Sequence, residues 1–230
     1  MSASPSNSSS SNKSSSNKSW TSAFGRACGV LLDTIVRWLA LSRINPNVLT
    51  FMGLVVNTGA AILFGSATAG TQRHLFFLAG LVIIFSGFFD LVDGLVARAT
   101  NRVTRFGAFF DSVVDRYSDA SQFLGLLVFY ARGDRFFYVV LTAFVMVSAI
   151  MVSYTRARAE SLIGSCRVGF MERPERLVLV IIGALFNRMA PVLWVIAVLS
   201  TLTVIHRMRY TWTRTQDAPP AAAANAGHAA

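Results

Sequence analysis

Residues 90–115 read DLVDGLVARATNRVTRFGAFFDSVVD, from Asp90 to Asp115. The stretch holds two carboxylate pairs, Asp90 with Asp93 and Asp111 with Asp115. The first pair closes one long apolar run, and the second opens another. Spacings of three and four residues put each pair on one face of a helix. A short basic loop, TNRVTR, joins the two runs, so the two helices are expected to be antiparallel neighbours with their acidic faces meeting. Ionisable groups at membrane depth are costly and mark functional sites.

The chain around this stretch is apolar. Of its 230 residues, 53% are hydrophobic and only 14% are charged, whereas a soluble domain carries about 25% charged residues. Several apolar runs approach the ~20 residues that cross a bilayer as a helix. Strict alternation of polar and apolar residues is lacking, which argues against a membrane barrel. Helices satisfy their own backbone hydrogen bonds in lipid. The expected fold is therefore an all-α integral membrane protein with six transmembrane helices, preceded by an amphipathic interfacial helix.

The domain boundaries follow from shifts in composition. Residues 1–19 are almost entirely Ser, Asn and Lys and cannot bury enough apolar surface to order themselves. In residues 20–43, Phe24, Ala27, Leu31, Ile35, Trp38 and Leu39 recur at helical spacing between Arg26, Asp33 and Arg37, as in a helix lying in the membrane interface. Asn45 before Pro46 breaks that helix, and Pro46 suits the first turn of the next. The six-helix domain, residues 44–209, has spans expected at about Val48 to Phe64, His74 to Ala99, Phe106 to Tyr130, Phe136 to Ala159, Pro174 to Phe186 and Pro191 to His206. Gly53, Asn57 and Gly59 in the first span are residues of the kind that let helices approach closely. Residues 210–230 form an Ala- and Pro-rich tail expected to be disordered. Cys28 and Cys166 are far apart and read as unpaired.

Net charge is +10. A basic chain can bind nucleic acid, but here the charge follows the membrane. With six spans, sixteen Lys and Arg fall on the side of the termini and four (Arg73, Arg132, Arg135 and Arg188) on the other. The positive-inside rule then puts both termini and the carboxylate stretch in the cytoplasm, in the cell (inner) membrane, with no nucleic-acid partner.

Converging carboxylates need a counter-charge. Hard oxygen donors suit Mg²⁺ or Mn²⁺, and two such ions suit phosphoryl transfer. The same residues could also form the proton or cation relay of a cation-coupled transporter. Their position near one membrane face, beside a basic loop, favours a phosphate-handling site at the lipid surface.

Asp90, Asp93, Gly94, Ala97, Arg98, Gly107, Asp111 and Asp115 match D-x2-D-G-x2-A-R-x8-G-x3-D-x3-D. This pattern resembles the signature of the CDP-alcohol phosphatidyltransferases, and the likeness extends over the whole membrane portion, PNVLT before the first span included. The resemblance implies a six-helix, commonly homodimeric membrane enzyme. Such an enzyme moves a phosphatidyl group from CDP-diacylglycerol to an alcohol and releases CMP. It further implies that Asp90, Asp93, Asp111 and Asp115 hold two Mg²⁺ (or Mn²⁺) ions and that Asp115 also takes the proton of the acceptor hydroxyl. Asn47, Thr50, Gly94, Ala97, Arg98, Thr104 and Gly107 would meet the CDP-lipid. Asp119, one turn beyond Asp115, lies outside the pattern and reads as structural.

FGAFFDSVVDRYSD, SYTRARAE and GFMERPER resemble the phosphatidylinositol phosphate synthase branch. That branch uses inositol 1-phosphate and grips its phosphate with basic residues. The matching positions are Arg156, where the branch often has lysine, Arg173 or Arg176, and Arg207. Glu172 and Glu175 stand beside Arg173 and Arg176 and could neutralise them locally. Glycerol 3-phosphate, serine and free inositol are the alternative acceptors.

Overall fold

The computed structural model describes residues 46–99 and 104–216. The expected Ser-rich start, the interfacial helix of residues 20–43, Cys28 and most of the loop before Arg105 lie outside the described residues. Within them the chain is all helical: α1 Pro46–Ser66, α2 Gln72–Ala99, α3 Arg105–Arg132, α4 Phe136–Ile163, α5 Arg173–Leu185 and α6 Met189–Gln216. Pro46 opens α1, as its fixed φ and missing N–H lead one to expect.

Four of these helices, α1, α2, α4 and α6, are long and apolar enough to cross a membrane. The other two segments expected as spans differ for separate physical reasons. α3 has 28 residues, but Asp111, Asp115, Arg116 and Asp119 interrupt its apolar run. α5 has only 13 residues, about 20 Å of helix against a hydrocarbon core of about 30 Å. Two helices also outrun their expected limits. α4 continues to Ile163, and α6 continues to Gln216, past residue 209, where the sequence reading ended the domain. Once a helix leaves the apolar layer, its polar turns carry no hydrophobic signal to mark its end.

Helix contacts close on themselves. α1 packs on α2 and α3, α3 on α4, α4 on α6, α6 on α5, and α5 on α2. One end of this ring is sealed by apolar packing. Phe64, Phe76 and Phe129 stack edge to face there, and Leu141, Ala184, Met189 and Leu193 fill in around them, all buried. Hydrogen bonds tie α1 to its neighbours: Gln122 Nε2 donates to Asn57 Oδ1 at 2.7 Å, and Ser86 Oγ to the Gly53 carbonyl at 2.9 Å.

The close approach expected at Gly53 and Gly59 holds at one position only. A Cβ on Gly53 would lie 3.0 Å from Asp90 Oδ1, while one on Gly59 would meet nothing within 4 Å. A much closer approach is at Gly125 of α3, where a Cβ would lie 2.2 Å from the Ala61 carbonyl oxygen of α1.

Candidate active site

At the other end of the ring, the C-terminal part of α2 and the N-terminal part of α3 bring the acidic residues together. Thr104 caps α3: its hydroxyl accepts from the Gly107 backbone N–H at 2.9 Å. That cap fixes the first turn of the helix carrying Asp111 and Asp115. A Cβ at Gly107 would lie 3.0 Å from Thr104 Oγ1 and 3.5 Å from Asn47 Oδ1. Three of the residues expected around the CDP-lipid, Asn47, Thr104 and Gly107, therefore converge where α1 and α3 begin. Thr50 is buried one turn along α1. Arg98 is exposed and folds back on its own helix, its Nε donating to the Gly94 carbonyl at 3.0 Å. The side chains of Asp93 and Ala97 lie outside the described residues.

Asp90 and Asp115, from different helices, are joined by one cation of the protein itself. Arg173, the first residue of α5, reaches Asp90 Oδ2 through Nη2 and Asp115 Oδ1 through Nη1, both at 2.9 Å. Asp111 is half-buried one turn before Asp115. Arg176, one turn beyond Arg173, is buried and pairs with Asp119. Asp119, which lies outside the signature, also approaches Arg173 at 3.8 Å. Arg176 does not line the cleft described next.

A cleft of about 340 Å³ runs from these carboxylates towards the C-terminal parts of α4 and α6. Asp115, Asp119 and Arg173 line one part of it, and Arg156, Glu172 and Arg207 another. One oxygen of Glu172 accepts from Arg156 Nη1 at 3.0 Å and from Arg207 Nη2 at 2.9 Å. Arg156 Nε also meets Glu160 at 3.0 Å. Arg207 is buried and donates to the carbonyls of Val168, at 2.8 Å, and Val152. The local neutralisation considered for Glu172 and Glu175 is therefore not what forms. Glu172 pairs with Arg156 and Arg207, and Glu175 accepts from the Glu172 backbone N–H at 3.1 Å, a helix-start contact.

The donor set can be tested against a divalent cation. Two carboxylates from separate helices already close on a single positive group, and every donor is a hard oxygen, the chemistry Mg²⁺ and Mn²⁺ require. Among the described residues, no three acidic, His or Cys side chains close on one metal point. Arg173 occupies the space between Asp90 and Asp115 instead.

A sequence model of the CDP-alcohol phosphatidyltransferases matches residues 43–206, which takes in five whole helices, most of α6 and every cleft-lining residue except Arg207. The chain belongs to the CDP-alcohol phosphatidyltransferase family. Among curated members, it is similar to the archaetidylinositol phosphate synthase of Pyrococcus horikoshii, 36% identical over 179 residues, covering 77% of this chain and 88% of that protein. It is 36% identical to the phosphatidylinositol phosphate synthase of Mycobacteroides abscessus over 171 residues, covering 71% of this chain and 75% of that one. Among solved structures, phosphatidylinositol phosphate synthase of Mycobacterium tuberculosis with CDP-DAG bound superposes with a TM-score of 0.71 at 32% identity, covering 79% of this chain and 94% of that one. The same enzyme in complex with manganese and citrate gives 0.68 at 32% identity, covering 79% and 89%. This phosphatidyltransferase is accordingly a multi-pass membrane enzyme.

Proposed function

We propose that this chain transfers the phosphatidyl group of CDP-diacylglycerol to inositol 1-phosphate, giving phosphatidylinositol phosphate and CMP. The observation that carries the reading is the single cleft that holds the aspartates in one part and two arginines, buried Arg207 and half-exposed Arg156, in another. A pyrophosphate-bearing lipid needs the first, and a phosphorylated alcohol needs the second. The names of the relatives, and the CDP-DAG and manganese in the neighbouring structures, point the same way.

The acceptor hydroxyl attacks the lipid-side phosphorus of the pyrophosphate. The new P–O bond forms as the bond from that phosphorus to the bridging oxygen breaks, and CMP leaves. Asp115 takes the hydroxyl proton, a transfer that positioned carboxylates catalyse. Asp90, Asp93, Asp111 and Asp115 would hold Mg²⁺ or Mn²⁺, which supplies charge neutralisation at the phosphates and activation of the nucleophile. Asn47, Thr50, Thr104 and Gly107, with Gly94, Ala97 and Arg98, would contact the CDP-lipid. Arg156 and Arg207 would grip the acceptor phosphate with planar, fixed forks. We place all six helices in the bilayer, α3 and the short α5 with their polar ends at the cytoplasmic face, and read both termini as cytoplasmic. A homodimer is the expected assembly.

The test is CMP release from CDP-diacylglycerol with Mg²⁺ and, in parallel, inositol 1-phosphate, glycerol 3-phosphate, serine or inositol. Inositol 1-phosphate should be the preferred acceptor, and Arg156→Ala should raise its KM about tenfold or more. Equal rates with a non-phosphorylated acceptor would overturn the assignment.

A further inference from the structure

Among the described residues, Glu172 is the one acidic side chain that pairs with both arginines of the proposed phosphate grip. A single oxygen of it takes Arg156 Nη1 at 3.0 Å and Arg207 Nη2 at 2.9 Å. One way to read such a carboxylate is as a scaffold that orients the two guanidinium groups. The remaining contacts argue against that role. Arg207 is already fixed by the carbonyls of Val152 and Val168, and Arg156 by Glu160, so both keep their orientation without Glu172. The burial is also uneven. The Arg207 side chain is 1% exposed while that of Glu172 is 36% exposed and faces the cleft. Arg207 belongs to the wall. Arg156, 40% exposed, is as open to the cleft as Glu172 but is held by Glu160, and the carboxylate is the component with room to leave.

We infer that Glu172 is a tethered stand-in for the acceptor's phosphate, a specificity-determining residue that occupies the Arg156–Arg207 grip until a more highly charged group displaces it. The inference rests on the reading of those arginines as the phosphate grip. Two guanidinium groups facing one cleft repel each other unless an anion lies between them. A carboxylate brings one charge and two oxygens. A phosphate monoester brings about −1.5 to −2 and three acceptor oxygens, enough to outcompete it. A neutral alcohol brings nothing that displaces Glu172. The resident carboxylate thus sets a charge threshold at the acceptor subsite, which favours phosphorylated acceptors over their free alcohols.

The competing and orienting roles predict opposite signs. Glu172→Gln removes the charge. Glu172→Ser removes the reach while leaving a residue that starts helices well. Both keep the backbone N–H of residue 172 that Glu175 accepts. In the full-length purified enzyme, each variant should lower the KM for inositol 1-phosphate and the inhibition constant of inorganic phosphate about fivefold, the discounted strength of a charge-assisted pair at a partly exposed site. Independently of turnover, the inorganic phosphate concentration that half-maximally raises the thermal unfolding midpoint should fall by the same factor. Values that rise or stay unchanged in both variants would overturn the inference and make Glu172 an orienting residue. A wild-type enzyme that turns over only phosphate-free alcohols would defeat the acceptor assignment alone, because the phosphate-dependent unfolding series still reads the competition directly.

Discussion

Gly125→Ala tests the helix crossing on which the site geometry depends. The added Cβ would sit 2.2 Å from the Ala61 carbonyl oxygen, 2.8 Å from its carbonyl carbon and 2.9 Å from its Cα. These are backbone atoms of a helix and have no rotamer in which to retreat. A carbon normally approaches a carbonyl oxygen to about 3.3 Å, so α1 and α3 must separate by about 1 Å. Overpacking of this kind costs about 1–3 kcal/mol, and the rigidity of both partners puts Gly125 near the upper end. For a chain of this length that corresponds to about 5–10 °C in Tm. The displacement also runs along α3 towards Asp115, so CMP release should fall with stability. Gly59→Ala is the matched control. Nothing lies within 4 Å of its Cβ, and replacing glycine in a helix interior gains up to about 1 kcal/mol. Thermal unfolding of the two purified variants in one detergent decides the matter. A Gly125→Ala midpoint within about 1 °C of wild type, no lower than that of Gly59→Ala, would refute the reasoning.

Two further substitutions probe the charged end. Asp119→Ala strands the buried Arg176 and should cost about 3–5 kcal/mol, whereas Asp119→Leu combined with Arg176→Met should cost far less; a double-mutant cycle by thermal unfolding checks this, and equal losses would contradict it. Arg173→Gln removes the cation between Asp90 and Asp115. It should tighten Mn²⁺ binding about fivefold, followed as loss of the free-ion signal in electron paramagnetic resonance, because no tethered charge then has to be displaced; weaker binding would show that Arg173 assists the ion.

The helical class and the positions of most helices were legible in the sequence, because apolar runs are local signals. The short loop suggested that α2 and α3 pack on each other, but both pack on α1 and their acidic ends are bridged by Arg173. The acidic pairs were legible for the same reason: spacings of three and four residues fix a helix face whatever the tertiary structure. What Arg173 does was not. It contacts Asp90 from 83 residues away, and no local pattern distinguishes it from Arg176, which turns inward to Asp119 one turn later. The three-way contact of Glu172, Arg156 and Arg207 was hidden likewise, since proximity in sequence suggested Arg173 and Arg176 as the partners of the two glutamates. Gly125 and Gly59 make the same point about packing. Both are glycines within apolar helices, but only the crossing geometry tells which one faces a backbone.

The central claim is that the cleft performs phosphatidyl transfer with Asp115 as the base. Its most direct test is CMP release from CDP-diacylglycerol on addition of inositol 1-phosphate and Mg²⁺, comparing wild type with Asp115→Asn. The wild type should release CMP in proportion to phosphatidylinositol phosphate formed. The variant should retain CDP-diacylglycerol binding and lose about 10²–10⁴ in kcat, the usual contribution of a positioned general base. An Asp115→Asn enzyme within tenfold of the wild-type rate would contradict the account.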